Sequence, residues 1–269
     1  MKSGIDSNRT PTKFQRWTAV IIFFMFMLLH QTDRLLIGPL TSDIMSDFQL
    51  TESEMGSIFT ISLILGSVFY PIWGYLFDRF ARPKILAIAS FIWGMTTWLS
   101  AAAPTAGLFT VARASTGIDD SSYPGIASLI SDYFPPDRRS GIFGFLQLTI
   151  PLGYLAGLYL AMTMRISLGW RFLYILTGLI GILMAILIRI GVQEVPRGAS
   201  EPELKGADIP VTKIPGWNQF KNLLKIPTLR TLFLQGAIGV LPWQVITFWS
   251  FRYLEIDRGL TSSEITAVM

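Results

Sequence analysis

Seven apolar blocks, each close to the length a helix needs to cross a bilayer, dominate this chain and leave little room for any other architecture. They fall at 17–40, 55–77, 84–104, 106–131, 141–164, 170–192 and 230–253. About 20 such residues span ~30 Å of hydrocarbon as a helix. Inside lipid every backbone N–H and C=O has to be satisfied within its own segment, so runs of this kind are read as transmembrane helices. Composition agrees: 51% of residues are hydrophobic and only 15% charged, outside the range of ordinary soluble domains. The expected fold class is an all-α membrane protein. The first block follows Lys2, Arg9, Lys13 and Arg16, but it runs past the length of a signal-peptide core without a small-residue cleavage site.

Short-loop charges set the expected orientation. Arg79, Arg82 and Lys84 follow the second block, Arg138 and Arg139 the fourth, and Arg197, Lys205, Lys213, Lys221 and Lys225 the sixth. The opposite loops carry Asp43, Asp47, Glu52 and Glu54, or no charge, with Arg165 and Arg171 as the exceptions. Lysine and arginine accumulate on the cytoplasmic side, so the N-terminus is expected there; the expected location is the plasma membrane. The same bias accounts for the net charge of +4, leaving no argument for nucleic acid as a partner. With no cysteine, neither a disulfide nor a thiolate metal site can form, and no metal or cofactor is expected.

The blocks divide into repeats. A tail (1–16) precedes a six-helix bundle (17–192); a polar linker (193–228) leads to an incomplete second repeat (229–269). In the linker, Trp217, Phe220, Leu223 and Leu224 lie at helical spacing opposite Lys221 and Lys225, which suits a short helix on the membrane surface. "FQLTESEM" and "RGLTSSEI", 210 residues apart, share Leu-Thr-x-Ser-Glu. Thr51 with Glu54, and Thr261 with Glu264, have capping-box spacing. Each follows an apolar block and a loop, so helices 7 and 8 read as a second copy of helices 1 and 2. Transporters built from two parallel six-helix halves have this period, with the substrate site between the halves. The chain then holds one half and the beginning of another, and a second half or a second copy is an expected partner.

Ionisable residues inside the apolar blocks mark the candidate site. His30, Asp33 and Arg34 lie on one face of helix 1, and at 100° per residue Arg113, Gly117, Asp120 and Pro124 share a face of helix 4. On that arithmetic Asp119 points well away. Charges at membrane depth are costly and normally line an interior path. Asp33 and Arg113 lie about seven residues, or ~10 Å, from the outer end, a depth at which they can form an ion pair. Locking helix 1 to helix 4 is the plain structural alternative to a transport role. Histidine as a residue type changes charge near physiological pH, so His30 is either a proton relay or a packed hydrogen-bonding group. In helix 5, Gly153 and Gly157 form a GxxxG step suited to helix packing, and neighbouring Pro151 invites a kink.

The loop "GYLFDRFARPK", with Gly74, Asp78, Arg79, Arg82 and Lys84, resembles the signature of the major facilitator superfamily in the same place. Ala81 stands where the family has glycine, which is strained if the turn needs a positive φ. Pro83 interrupts the basic end. The resemblance implies a six-helix half of that fold and a conformational latch in which Asp78, paired with Arg82, meets the other half. Arg113 followed by Gly117 resembles the second family signature, though Asp119 replaces a small residue there. Asp33-Arg34, the acid in "DDSSYPG" and the "PRGASEPEL" tail resemble the Spinster-like branch, which handles lysophospholipids and sphingoid lipids; "SSYPGIASLISDYFPPDRR" also resembles the organic-anion symporters. The implied function is secondary transport of a small organic or lipid-like solute, with Asp33 and Asp120 coupling protons and Arg34 and Arg113 meeting substrate. A binding or sensor module that does not itself transport is the alternative. An enzyme is not expected, since His30 has no serine on its own face to activate and no phosphate-binding loop occurs.

Overall fold

A computed structural model describes residues 11–120, 122–201 and 221–268. Its elements, in chain order, are α1 (Lys13–Phe48), α2 (Glu52–Arg79), α3 (Arg82–Ala102), α4 (Ala106–Ser115), α5 (Gly117–Asp120), α6 (Tyr123–Tyr133), α7 (Pro136–Gln147), α8 (Thr149–Gly191), α9 (Pro227–Arg252), a π-helical turn (Tyr253–Asp257) and α10 (Ser262–Val268). No strand occurs among the described residues. Five segments are long and apolar enough to cross a membrane on length and composition: α1, α2, α3, α7 with α8, and α9 with its π-helical turn. The fourth block forms helix too, but in three pieces.

Helix ends sit where local chemistry puts them. Thr12 caps α1 together with Gln15, and Thr51 caps α2 together with Glu54. Before α10, Thr261 Oγ1 accepts from the Glu264 N–H at 3.4 Å, and the Thr261 N–H donates to Glu264 Oε2 at 2.8 Å. The two Leu-Thr-x-Ser-Glu stretches thus make the same structure, as a repeat requires. Ala81 has φ −63°, so the departure from glycine brings no strain. Proline sets the breaks. Pro124 and Pro151 lack the N–H that would bond the carbonyl four residues earlier, and these are the last residues of α5 and α7, Asp120 and Gln147. Gly169, at φ 77° and ψ 162°, turns the chain inside Thr149–Gly191 and separates the fifth span from the sixth.

At the centre of the bundle is α1, with α8 packed on it and α3 packed on α8. At 36 residues α1 is roughly 54 Å long, more than the hydrocarbon requires. Its buried residues feed two separate apolar clusters. One gathers Ala19, Val20, Phe23 and Phe26 with Trp93, Ile130 and Tyr133; the other gathers Leu36, Leu40 and Ile44 with Phe109, Trp170 and Tyr174. Between them α1 presents His30, Thr32 and Asp33, all buried. A polar layer therefore divides the core.

Small residues bring α8 this close. A Cβ on Gly153 would stand 2.7 Å from Gln31 Cβ, and one on Gly157 would stand 3.0 Å from the Thr32 carbonyl oxygen, so the GxxxG step is a packing device against α1. On the other side α9 docks on α1 and α2, with Phe248 stacked on Phe59 at 4.4 Å and Gly38 facing the Thr247 carbonyl. Toward one end of the bundle, arginines meet acids of α1, α2 and the π-helical turn: Arg171 pairs with Asp47, Arg165 with Asp43 at 3.8 Å and Glu255 at 2.8 Å, and Arg252 with Glu52 at 3.0 Å. Of the expected surface helix in the linker, Trp217 and Phe220 lie outside the described residues; Leu223 and Leu224 are exposed. Replacing Gly153 by leucine forces α8 away from α1 and should destabilise the bundle by about 1–3 kcal/mol, the usual range for an overpacked core. Thermal unfolding in detergent, read by tryptophan fluorescence, is the measurement.

Candidate functional site

The site grows from the polar layer. Asp33, 2% exposed, accepts three hydrogen bonds: from Trp93 Nε1–H at 3.0 Å and Thr97 Oγ1–H at 3.2 Å on Oδ2, and from Thr177 Oγ1–H at 2.5 Å on Oδ1. Its partners come from α3 and α8, so one carboxyl group ties three helices together. A buried carboxyl group survives only when its oxygens are satisfied. The expected ion pair with Arg113 does not form; among the described residues Asp33 makes no ion pair. The neutral donors Trp93, Thr97 and Thr177 take that place, and nothing in their order along the chain announces it.

Arg113, on α4, is 5% exposed and lies over the Tyr174 ring, with Cζ 4.7 Å from the centroid. Its Nε and Nη1 are buried and have no hydrogen-bond partner among the described residues, and the Tyr174 hydroxyl has none either. Asp33, Arg34, Arg113 and His30 line one cavity of about 480 Å³, part of it open to solvent, completed by Ile37, Phe59, Ser62, Trp93, Thr116 and Asp119. Four of the five residues expected at the site thus meet around one space. The fifth, Asp120, ends α5, and its side chain lies outside the described residues.

Asp119 is a correction. Straight-helix arithmetic turned it away from the cavity, yet it is 1% exposed, lines the cavity and places Oδ2 2.8 Å from His30 Nε2. The cause is the broken fourth span. Between Ser115 and Tyr123 the chain steps through α5, so rotation no longer accumulates at 100° per residue. The exposed backbone groups find local partners: the Arg113 carbonyl accepts from Thr116, the Asp119 carbonyl from the Ser122 N–H at 2.9 Å, and the Ile118 carbonyl from Trp73 Nε1–H. Gly117 lets α2 approach, since a Cβ there would stand 2.1 Å from the Ser62 carbonyl oxygen. His30 Nδ1 lies 3.0 Å from the Tyr123 hydroxyl. The low helix propensity of "STGIDDSS" ahead of Pro124 was the available signal for the break.

The loop between α2 and α3 differs from its expected wiring. Arg82, fully buried, pairs with Asp132 and Glu194 rather than with Asp78, and donates to Ser128 Oγ at 2.8 Å and to the Val195 carbonyl at 2.7 Å. Asp78 is exposed and, among the described residues, makes no hydrogen bond or ion pair. Arg79 donates to the Tyr75 hydroxyl at 2.7 Å. Nothing lies within 4 Å of a Cβ built on Gly74, so its smallness serves no contact with the described residues. Arg82 sits at the first position of α3 and turns into the bundle, where the segment after α8 wraps back. There Gly198 N–H donates to Asp132 Oδ1 at 2.8 Å, and Arg197 donates to the Phe77 carbonyl at 2.7 Å. Asp132 and Glu194 went unremarked in the sequence because neither stands in the signature loop itself.

The arrangement is a long-helix bundle with ionisable groups around a central cavity and a buried basic anchor at one end. The Major Facilitator Superfamily model matches residues 20–269, and the chain belongs to that family. It is an integral membrane protein of a transporter family. Within the family it is Spinster-like. It is 32% identical over 252 residues to Protein spinster homolog 1 of Xenopus tropicalis, covering 90% of this chain and 46% of that protein. It is 30% identical over 278 residues to the sphingosine-1-phosphate transporter SPNS2 of Xenopus tropicalis, covering 97% of this chain and 52% of that protein. The chain spans about half the length of these relatives.

Solved structures agree on the fold. A bacterial homolog of the human lysosomal transporter Spinster, inward-facing and unoccupied, superposes with a TM-score of 0.77 at 21% identity over 95% of this chain and 59% of that one. The D-xylose–proton symporter gives 0.64 at 17% identity, over 93% of this chain and 64% of that one. Replacing Arg82 by methionine strands two carboxylates that are themselves largely buried and should cost about 3–5 kcal/mol, the range for breaking a buried pair from one side. The check is the unfolding midpoint in detergent, with Arg82→Met/Asp132→Asn recovering part of the loss.

Proposed function

We propose that this chain handles the substrate in a proton-coupled secondary transporter working by alternating access, and that the solute is amphiphilic with an anionic head group. The observation that carries the reading is Arg113: a buried guanidinium with two nitrogens lacking hydrogen-bond partners among the described residues, lining the cavity that Asp33 and Arg34 also line. A buried cation without partners is unfavourable, and a phosphate or carboxylate in the cavity would supply the missing acceptors in charge-assisted bonds. Arg34, which lines the same cavity and a second apolar one toward α9 with Phe59 and Phe248, is the other substrate contact. The name of the relative SPNS2 supports a lipid-like solute of this kind. Asp33 and Asp120 are the coupling acids, and His30 shares the cavity with Asp33. Gly74, Asp78 and Arg79 serve as a latch toward a second half, with Arg82 as its buried anchor. The Lys/Arg bias of the short loops supports a cytoplasmic N-terminus, and the plasma membrane is the membrane we assign.

The test is uptake of sphingosine 1-phosphate or a lysophospholipid into proteoliposomes with and without an inward proton gradient. Arg113→Ala should reduce binding and uptake by roughly 10- to 100-fold, as loss of one or two charge-assisted bonds implies. Asp33→Asn and Asp120→Asn should each remove the dependence of uptake on the gradient. Binding that never leads to movement would instead favour a sensor module, and an unchanged gradient dependence in both aspartate variants would remove them from the mechanism.

A further inference from the structure

We propose that His30 and Asp119 form a proton-holding couple in their own right, separate from Asp33, with Tyr123 reading its charge state at the break in the fourth span. This deepens the transport reading above and rests on it for its purpose, though not for its chemistry. The imidazole is 3% exposed and has a different kind of partner at each nitrogen: the Asp119 carboxylate 2.8 Å from Nε2, and the Tyr123 hydroxyl 3.0 Å from Nδ1. With Asp119 ionised, the hydrogen of the neutral ring sits on Nε2 and points at the carboxylate, leaving Nδ1 to accept from the Tyr123 O–H. A proton arriving from the cavity binds Nδ1. That nitrogen then becomes a donor, and the Tyr123 oxygen must turn from donating to accepting.

One proton therefore reverses the sense of the bond between α1 and the first residue of α6. The only bond formed is the Nδ1–H bond to the incoming proton, and the charge gained on His30 is matched by Asp119 beside it. Among the described residues, the charged groups that share the cavity with the ring are Asp33 and Arg34 from α1, Arg113 from α4 and Asp119 from α5. From α3 it meets Trp93, whose ring lies edge-on at 5.0 Å and whose indole N–H is donated to Asp33. Trp93 thus lies against the ring of one site and donates to the carboxylate of the other. Asp119 stands where the family signature has a small residue, so this couple is additional to the family pattern.

The chain contains a single histidine, so protein labelled with ¹⁵N-histidine gives one imidazole spectrum and no substrate is needed. In lipid nanodiscs the wild type should show an Nε2–H tautomer at high pH and a doubly protonated ring at low pH, with one midpoint between pH 5 and 9. Asp119→Asn should move that midpoint down by about one unit or more, the effect of removing an adjacent opposite charge, and Asp119→Glu should restore most of it. A ring that stays neutral down to pH 5, stays charged up to pH 9, or starts from the Nδ1–H tautomer overturns the proposal on wild-type protein alone. So does a midpoint indifferent to Asp119→Asn. These readouts do not involve transport, so a failure of solute uptake and a failure of the couple are told apart.

Discussion

A carboxyl group buried among helices in a membrane protein has to bring its own solvent, and the satisfaction of Asp33 is the constraint around which this bundle is arranged. Three donors from two helices converge on its two oxygens. None of those donors is charged, so the group is held by geometry and not by a counterion. That demand explains why the core is split. Continuous hydrocarbon along α1 would leave the carboxyl group unsatisfied, whereas a polar layer between two apolar clusters accommodates it and leaves space beside it. The cavity follows from that layer. Thr177 reaches its acceptor from the sixth span, beyond the Gly169 turn, where Gly178 and Gly181 let that span close on Gly94 of α3.

Much of this was legible in the sequence, and for identifiable reasons. Span positions followed from block length, since the bilayer imposes one scale on every crossing. The paired Leu-Thr-x-Ser-Glu stretches formed matching caps because a capping box is decided by four consecutive residues. Gly153 and Gly157 met a neighbouring helix as their spacing required. His30, Asp33, Arg34 and Arg113 came together because ionisable groups at membrane depth have few other places to go.

What escaped the reading is equally specific. Asp119 was misplaced because helical arithmetic holds only along an unbroken helix, and the consequence of Pro124 for the carbonyl of residue 120 was not carried through. Asp132 and Glu194 were missed because the partner of Arg82 is a tertiary fact: it depends on the segment after α8 folding back more than a hundred residues along the chain. The neutral donors to Asp33 were missed because threonine and tryptophan are unremarkable in apolar helices. A sequence displays charges readily and their neutral partners poorly.

Gly74 bears on how this surface can be interrogated. The empty volume above its α-carbon belongs to no described neighbour, so an added methyl group there meets nothing in this bundle and would, if anything, favour the helix by the modest margin alanine holds over glycine. Filling position 74 therefore probes for contacts beyond the described residues while leaving the packing among those residues as it is.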